Sequence, residues 1–209
     1  MSTLNRVITN QNIDEILTAY VDSAETLGSS ISGLTGMKLL VALKRDAVGQ
    51  GPYPNVSLFE AANRIMTDLV ILTGVRHLLR ASVFPFESYS VEFGHGNEQA
   101  HDLIARSGSR LLIGEAFNVS PSFFPTKKNS VLKKLRHSSI GATTRVIMCN
   151  HDAVRDAYAP QLREQECLVL VDVGLGAARV VPNNALQRTH SRVTPRAGKS
   201  HGSRRAARR

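Results

Sequence analysis

The chain reads as an α/β protein, a sheet flanked by helices with a helical extension at its N-terminus, on three observations. Residues 88–119 divide into three short strands separated by turn signals. Residues 58–80 form one long helix that opens on a capping box. Two nearly uninterrupted apolar runs, TRVIMCN at 144–150 and CLVLVDV at 167–173, have the composition of interior strands.

In chain order, residues 12–27 are amphipathic, with Ile13, Ile16, Leu17, Tyr20, Val21 and Ala24 at helical spacing and Asn10 or Asn12 as the cap. GSSISGLTG at 28–36 is a loop, and 37–48 is a second helix closed by Gly49. After the turn-rich GQGPYPN, Ser57-x-x-Glu60 starts the long helix, whose stretch LVILTGVRHLL is apolar nearly all round and so is covered on several sides. Glu60 lies away from the stripe of Leu58, Ala62, Ile65, Leu69 and Leu72, which favours capping as its role.

The first strand, 88–93, alternates Tyr89, Val91 and Phe93 against Ser90 and Glu92, and Glu92 is either a third carboxylate of the site or part of a solvated strand face. The second, 100–106, carries His101 and Asp102 on opposite faces, so His101, which with His95 flanks Asp102, is assigned a structural or hydrogen-bonding part rather than proton transfer. Ser107-Gly108-Ser109 is a hairpin turn, and 110–119 is the third strand, with Leu111, Ile113, Glu115, Phe117 and Val119 on one face. In the loop SPSFFPT the two phenylalanines either pack on a base beside the site or plug the core, with the core favoured, and a helix follows from about Thr126.

The strand at 144–150 leads into NHDAVRDAYAP, a short helix capped by Asn150 and stopped by Pro160. Cys149 and Cys167 fall inside strands as buried small hydrophobes, and without a CxxC or paired-His spacing they make no zinc site. GLGAARVV lacks the Lys-Ser/Thr of a phosphate loop.

The 209 residues divide into a helical region at 1–56, an α/β core at 57–178 and a disordered basic tail at 179–209. Nine of the 26 Lys and Arg lie from Arg179 onward, where there is no Asp or Glu, which leaves 17 basic against 17 acidic residues before it. The +9 net charge is therefore a property of the tail and implies no basic face on the body. The tail resembles translated intergenic sequence; its functional reading is an arm with salt-sensitive affinity for nucleic acid. No apolar run approaches the eighteen residues of a membrane span, and MSTLNRVITNQN lacks the order of a signal peptide, so the expected location is the cytoplasm.

Asp102 and Glu115 stand thirteen residues apart on two strands joined by a tight turn, which brings them together. Neighbouring carboxylates repel, and a hard divalent cation between them relieves that repulsion. With this pair, and with GEAFN on the third strand, residues 57–150 resemble the PD-(D/E)xK nuclease superfamily, the restriction-endonuclease-like fold. The resemblance implies a core of helix, three-stranded meander, helix and fourth strand in a mixed central sheet, with Asp102 and Glu115 as catalytic metal ligands for Mg²⁺ or Mn²⁺. It also implies Glu60 as a further ligand from the first helix.

The family's lysine should follow the glutamate by two residues, where this chain has Phe117. On the helix that follows, Val131, Leu132 and Leu135 set the apolar stripe; Lys128 lies on it, Lys127 at its edge and Lys134 just beyond. Lys128 is thus the candidate for the lysine's catalytic work, with Lys127, Lys134 and Asn118 as nucleic-acid contacts. The function implied is Mg²⁺-dependent hydrolysis of phosphodiester bonds, of restriction type, on nucleic acid (DNA before RNA), by a chain that could be a homodimer and touches no membrane. The alternative is a degenerate, inactive nuclease fold used for binding or assembly.

Overall fold

The structure, a computed structural model, describes residues 7–94, 100–155, 158 and 160–181; His95 and the tail beyond Val181 lie outside them. The elements are β1 (Val7–Thr9), α1 (Ile13–Ala24), α2 (Gly36–Arg45), α3 (Leu58–Arg80), β2 (Ser88–Val91), β3 (Leu103–Ser107), β4 (Arg110–Phe117), α4 (Phe124–Arg136), β5 (Thr144–Asn150), β6 (Glu166–Asp172) and β7 (Ala177–Val181). The α/β class is that read from the sequence.

All seven strands form one mixed sheet in which spatial order equals chain order. The pairs β1–β2, β2–β3 and β3–β4 are antiparallel, β4, β5 and β6 are parallel, and β7 closes the far edge antiparallel to β6. The parallel strands are covered on both faces, which is why their sequences hardly alternate. Val146, Met148, Val169 and Val171 join the cluster built on α3, through Leu72, Val75 and Leu78. Ile147, Cys149, Leu168 and Leu170 join the cluster built on α4, through Val131, Leu132 and Leu135. A Cβ at Gly74 would lie 2.6 Å from Met148 Sδ, so this glycine lets α3 approach the sheet closely. Burial raises both thiols, Cys149 and Cys167, to about 12.

Strand β1 departs from the helical reading of the N-terminus, because Ile8 is fully buried and its segment pairs with β2. Asn12 does precede α1, yet its side chain does not cap the helix. It turns back to β1, accepting from Thr9 N at 2.8 Å and donating to Val7 O at 2.9 Å. At α3 the expected cap forms, Ser57 Oγ accepting from Glu60 N at 3.3 Å. The second helix ends at Arg45, earlier than read. Of the predicted helix after Asn150 only a 3₁₀ turn at His151–Ala153 is present among the described residues. The tail was placed to start at Arg179, but Arg179 to Val181 are strand, with Val181 paired to Leu168 and 5% exposed.

A buried carboxylate ties the N-terminal region to the core. Asp68 on α3 accepts hydrogen bonds from Tyr20 of α1, from Tyr53 of the loop before α3, and from Gly94 N at 2.9 Å. Burial raises Asp68 above the ordinary carboxylate range against those donors, and burial beside it raises both phenols. Among the described residues no helix is long and apolar enough to cross a membrane.

Candidate functional site

Register fixes the two carboxylates. Leu103 pairs with Gly114, so the residues just outside that pair are Asp102 and Glu115. The backbone of Asp102 accepts from Glu92 N at 3.0 Å, and its Oδ2 reaches across to accept from Ala116 N at 2.8 Å. Burial raises Asp102 to about 6, the negative charge of Glu115 adds to that rise, and the Ala116 N–H with Lys134 and Lys127 opposes it.

Glu115 is 6% exposed and holds a partner on each side. His101 Nδ1 stands 2.7 Å from Oε1, and Lys134 Nζ donates to Oε2 at 2.7 Å. The other His101 nitrogen meets Ser138 Oγ at 2.8 Å. His101 was read as facing away from Asp102. Because β3 starts only at Leu103, residues 101 and 102 escape strict alternation, and both come to Glu115. Ser138, His101 and Glu115 are connected as in a serine hydrolase relay, yet neither His101 nor Ser138 lines the cavity onto which Glu115 opens. The histidine therefore orients the carboxylate.

That cavity, about 420 Å³, lies between the helix layers at the ends of the strands. Into it open Glu60, Asn63 and Arg64 of α3, Glu92 just after β2, Asp102 just before β3, Glu115 of β4, Asn118, and Lys127 of α4. Most of the residues singled out in the sequence thus meet here. Glu60 is there too, ion-paired to Arg64, so its part extends past the cap. Glu92 is 3% exposed and lines the cavity, so of its two readings the solvated face fails and the third carboxylate stands: β2 ends at Val91, and the chain that follows carries Glu92 inward.

The lysines of α4 separate. Lys128 is not brought to the cavity; its Nζ donates to Tyr158 OH at 2.9 Å. Lys127 lines the cavity one helical turn before Val131, which lines it as well. Lys134 stands on Glu115 with its side chain 52% exposed. The phenylalanines of SPSFFPT split, Phe124 entering the core at 4% exposure and Phe123 standing out at 68%. Phe117 is 3% exposed, its ring 6.2 Å from that of Phe124, so this position is core beneath α4.

Among the described residues no three His, Cys, Asp or Glu side chains are arranged to hold a metal ion. The donor chemistry nonetheless fits Mg²⁺, which is commonly held by one or two carboxylates and otherwise by water and phosphate oxygens. Asp102 keeps Oδ1 without a hydrogen-bond partner among the described residues, and the half-exposed Lys134 can leave Glu115. No family model, curated protein or solved structure was found to match this chain.

Proposed function

We propose that the chain is a Mg²⁺-dependent nuclease with a restriction-endonuclease-like core. The observation that carries this reading is the convergence of Asp102 and Glu115, from a meander flanked by α3 and α4, on a cavity that Lys127 enters from α4. The order α3, β2-β3-β4, α4, β5, with β5 parallel to β4, supports the same reading.

Asp102 and Glu115 would hold the cation, which supplies charge neutralisation and water activation for phosphodiester hydrolysis. His101 fixes the Glu115 carboxylate. Lys134 balances the charge of Glu115 from a half-exposed position, a part that a bound cation would take over. Lys127 presents an ammonium to the phosphate, the work that the family gives to the residue at the Phe117 position. The substrate is nucleic acid, and the location is the cytoplasm.

The test is a thermal melt of the full chain with and without millimolar Mg²⁺ or Mn²⁺, beside Asp102→Ala, followed by incubation with circular and linear DNA. A metal-dependent rise that the mutant lacks, together with nicking, is expected. No shift and no cleavage at any metal concentration would remove the assignment. The burial of Phe117 and the double engagement of Glu115 favour a second reading, a degenerate nuclease fold that binds or assembles without cutting. That reading predicts no metal stabilisation.

A further inference from the structure

A second cavity, also about 420 Å³, is lined by Lys44 and Arg45 at the end of α2 and by Ser57, Phe59, Glu60 and Asn63 around the start of α3. Glu60 and Asn63 also line the cavity that holds Asp102 and Glu115, so the two depressions meet along α3. Phe59 is 47% exposed, and Lys44 Nζ stands 3.3 Å from the centre of its ring. Phe59 belongs to neither buried core cluster; its contact is with Lys44 of α2. The acidic member of the wall, Glu60, is already paired with Arg64, which leaves Lys44 and Arg45 as the charges that face a ligand.

An exposed ring beside two cations, continuous with a proposed phosphodiester site, has the parts of a single-strand track. With Lys44 over one face, the still half-exposed ring offers its open side to an unpaired base, and the cations take up the phosphates on either side. A paired duplex could not present a base face to Phe59, and an acidic peptide would use the cations but leave the ring idle. We infer that α2 and the start of α3 bind a single-stranded segment of nucleic acid next to the scissile phosphate, with one base stacked on Phe59 and its phosphates on Lys44 and Arg45. This rests on the nuclease reading for the position of the scissile bond, and it gives the N-terminal helical region a function.

The chain contains no tryptophan, so Phe59→Trp installs a single fluorescent reporter at an exposed position. The full chain carrying this substitution, in EDTA, is titrated with a single-stranded DNA oligonucleotide of about twelve nucleotides, a length within the usual range of single-strand sites. Saturable quenching is expected. Lys44→Ala with Arg45→Ala in the same background should weaken it several-fold, and Phe59→Ala in the parent chain should weaken binding, followed by anisotropy, about tenfold. Melting temperatures of the variants should stay near the parent value. Binding seen by anisotropy without quenching, or with an affinity indifferent to Phe59, would place the oligonucleotide on the basic tail and overturn the inference, as would no binding at all. Because the titration excludes metal, it separates two failures: quenching without a metal-dependent melt removes the nuclease reading and keeps the track, whereas the reverse result removes the track alone.

Discussion

His101 Nδ1 stands 2.7 Å from Glu115 Oε1, joining the residue just before Asp102 to the carboxylate across the hairpin. Both side chains are nearly inaccessible, His101 at 3% and Glu115 at 6%. His101→Ala would leave a buried carboxylate with Lys134 as its side-chain partner, a loss of about 1–3 kcal/mol. The expected result in urea denaturation is a drop of that size together with a weaker metal-dependent rise in melting temperature. Ser138→Ala, which removes only the outer contact, should cost about 1 kcal/mol and keep the metal response. Equal effects of the two would contradict the orienting role of the histidine.

Stability should depend on pH through Asp102. Its folded value, about 6, lies above the ordinary 3.8, so its contribution is fully present below 3.8 and is lost as the pH rises through 6. Burial is the main cause, Glu115 adds to it, and Ala116 N–H, Lys134 and Lys127 oppose it; Glu60, Arg64 and Glu92 line the same cavity. Asp102→Asn keeps a neutral side chain at every pH. Without metal, the stability of the variant relative to the parent should therefore rise between pH 4 and 7, by at most about 3 kcal/mol and by less for a part-exposed group. A flat difference across that window, measured by denaturation at several pH values, would show that Asp102 titrates normally. Asp68 shifts in the same direction and cancels in the comparison.

If phosphodiester cleavage is found, Lys127→Ala should lower its rate by about a hundredfold, the usual size for the loss of one charge-stabilising group. Lys128→Ala should leave the rate within a few-fold, since its ammonium is spent on Tyr158. Single-turnover assays decide it; the opposite ranking would return the role to Lys128.

Removing everything after Val181 should leave the melting temperature unchanged while lowering the salt-sensitive part of any nucleic-acid affinity, because eight Lys and Arg go with it. A cut after Ala178 is a different experiment. It strips Arg179, Val180 and the buried Val181 from their partners in β6, and a loss of at least about 2 kcal/mol is expected. If the two truncations melt alike, β7 contributes nothing.

The strong local signals in the sequence matched the structure. The run 144–150 is β5 residue for residue, the Ser57 cap opens α3, and the turn at Gly108 joins β3 to β4, because each rests on neighbouring residues alone. The pairing of Asp102 with Glu115 followed from the same turn. Strands β1 and β7 escaped detection because three and five residues on sheet edges show too little periodicity, and β7 runs straight into the basic composition of the tail. Lys128 was preferred to Lys127 because it lies on the apolar stripe. That stripe rests on the sheet, whereas the cavity opens at its rim, where Lys127 precedes Val131 by one turn. The burial of Glu92 and the contact of His101 with Glu115 depend on where β2 ends and β3 begins, and a period-2 pattern does not locate strand ends.

A sheet whose spatial order repeats its chain order also has kinetic consequences. The β3–β4 hairpin closes the shortest loop, and pairing can spread outward from it through β5, β6 and β7 in turn. Only β1 is separated from its partner by residues 10–87, so its docking carries the largest loop-closure entropy and is expected last. In native-state hydrogen exchange the amides of β1 should then open well below the global unfolding free energy, while those of β4 and β5 exchange only when the whole domain unfolds. Uniform protection across the sheet would mean that the first strand is already joined to the unit that folds first.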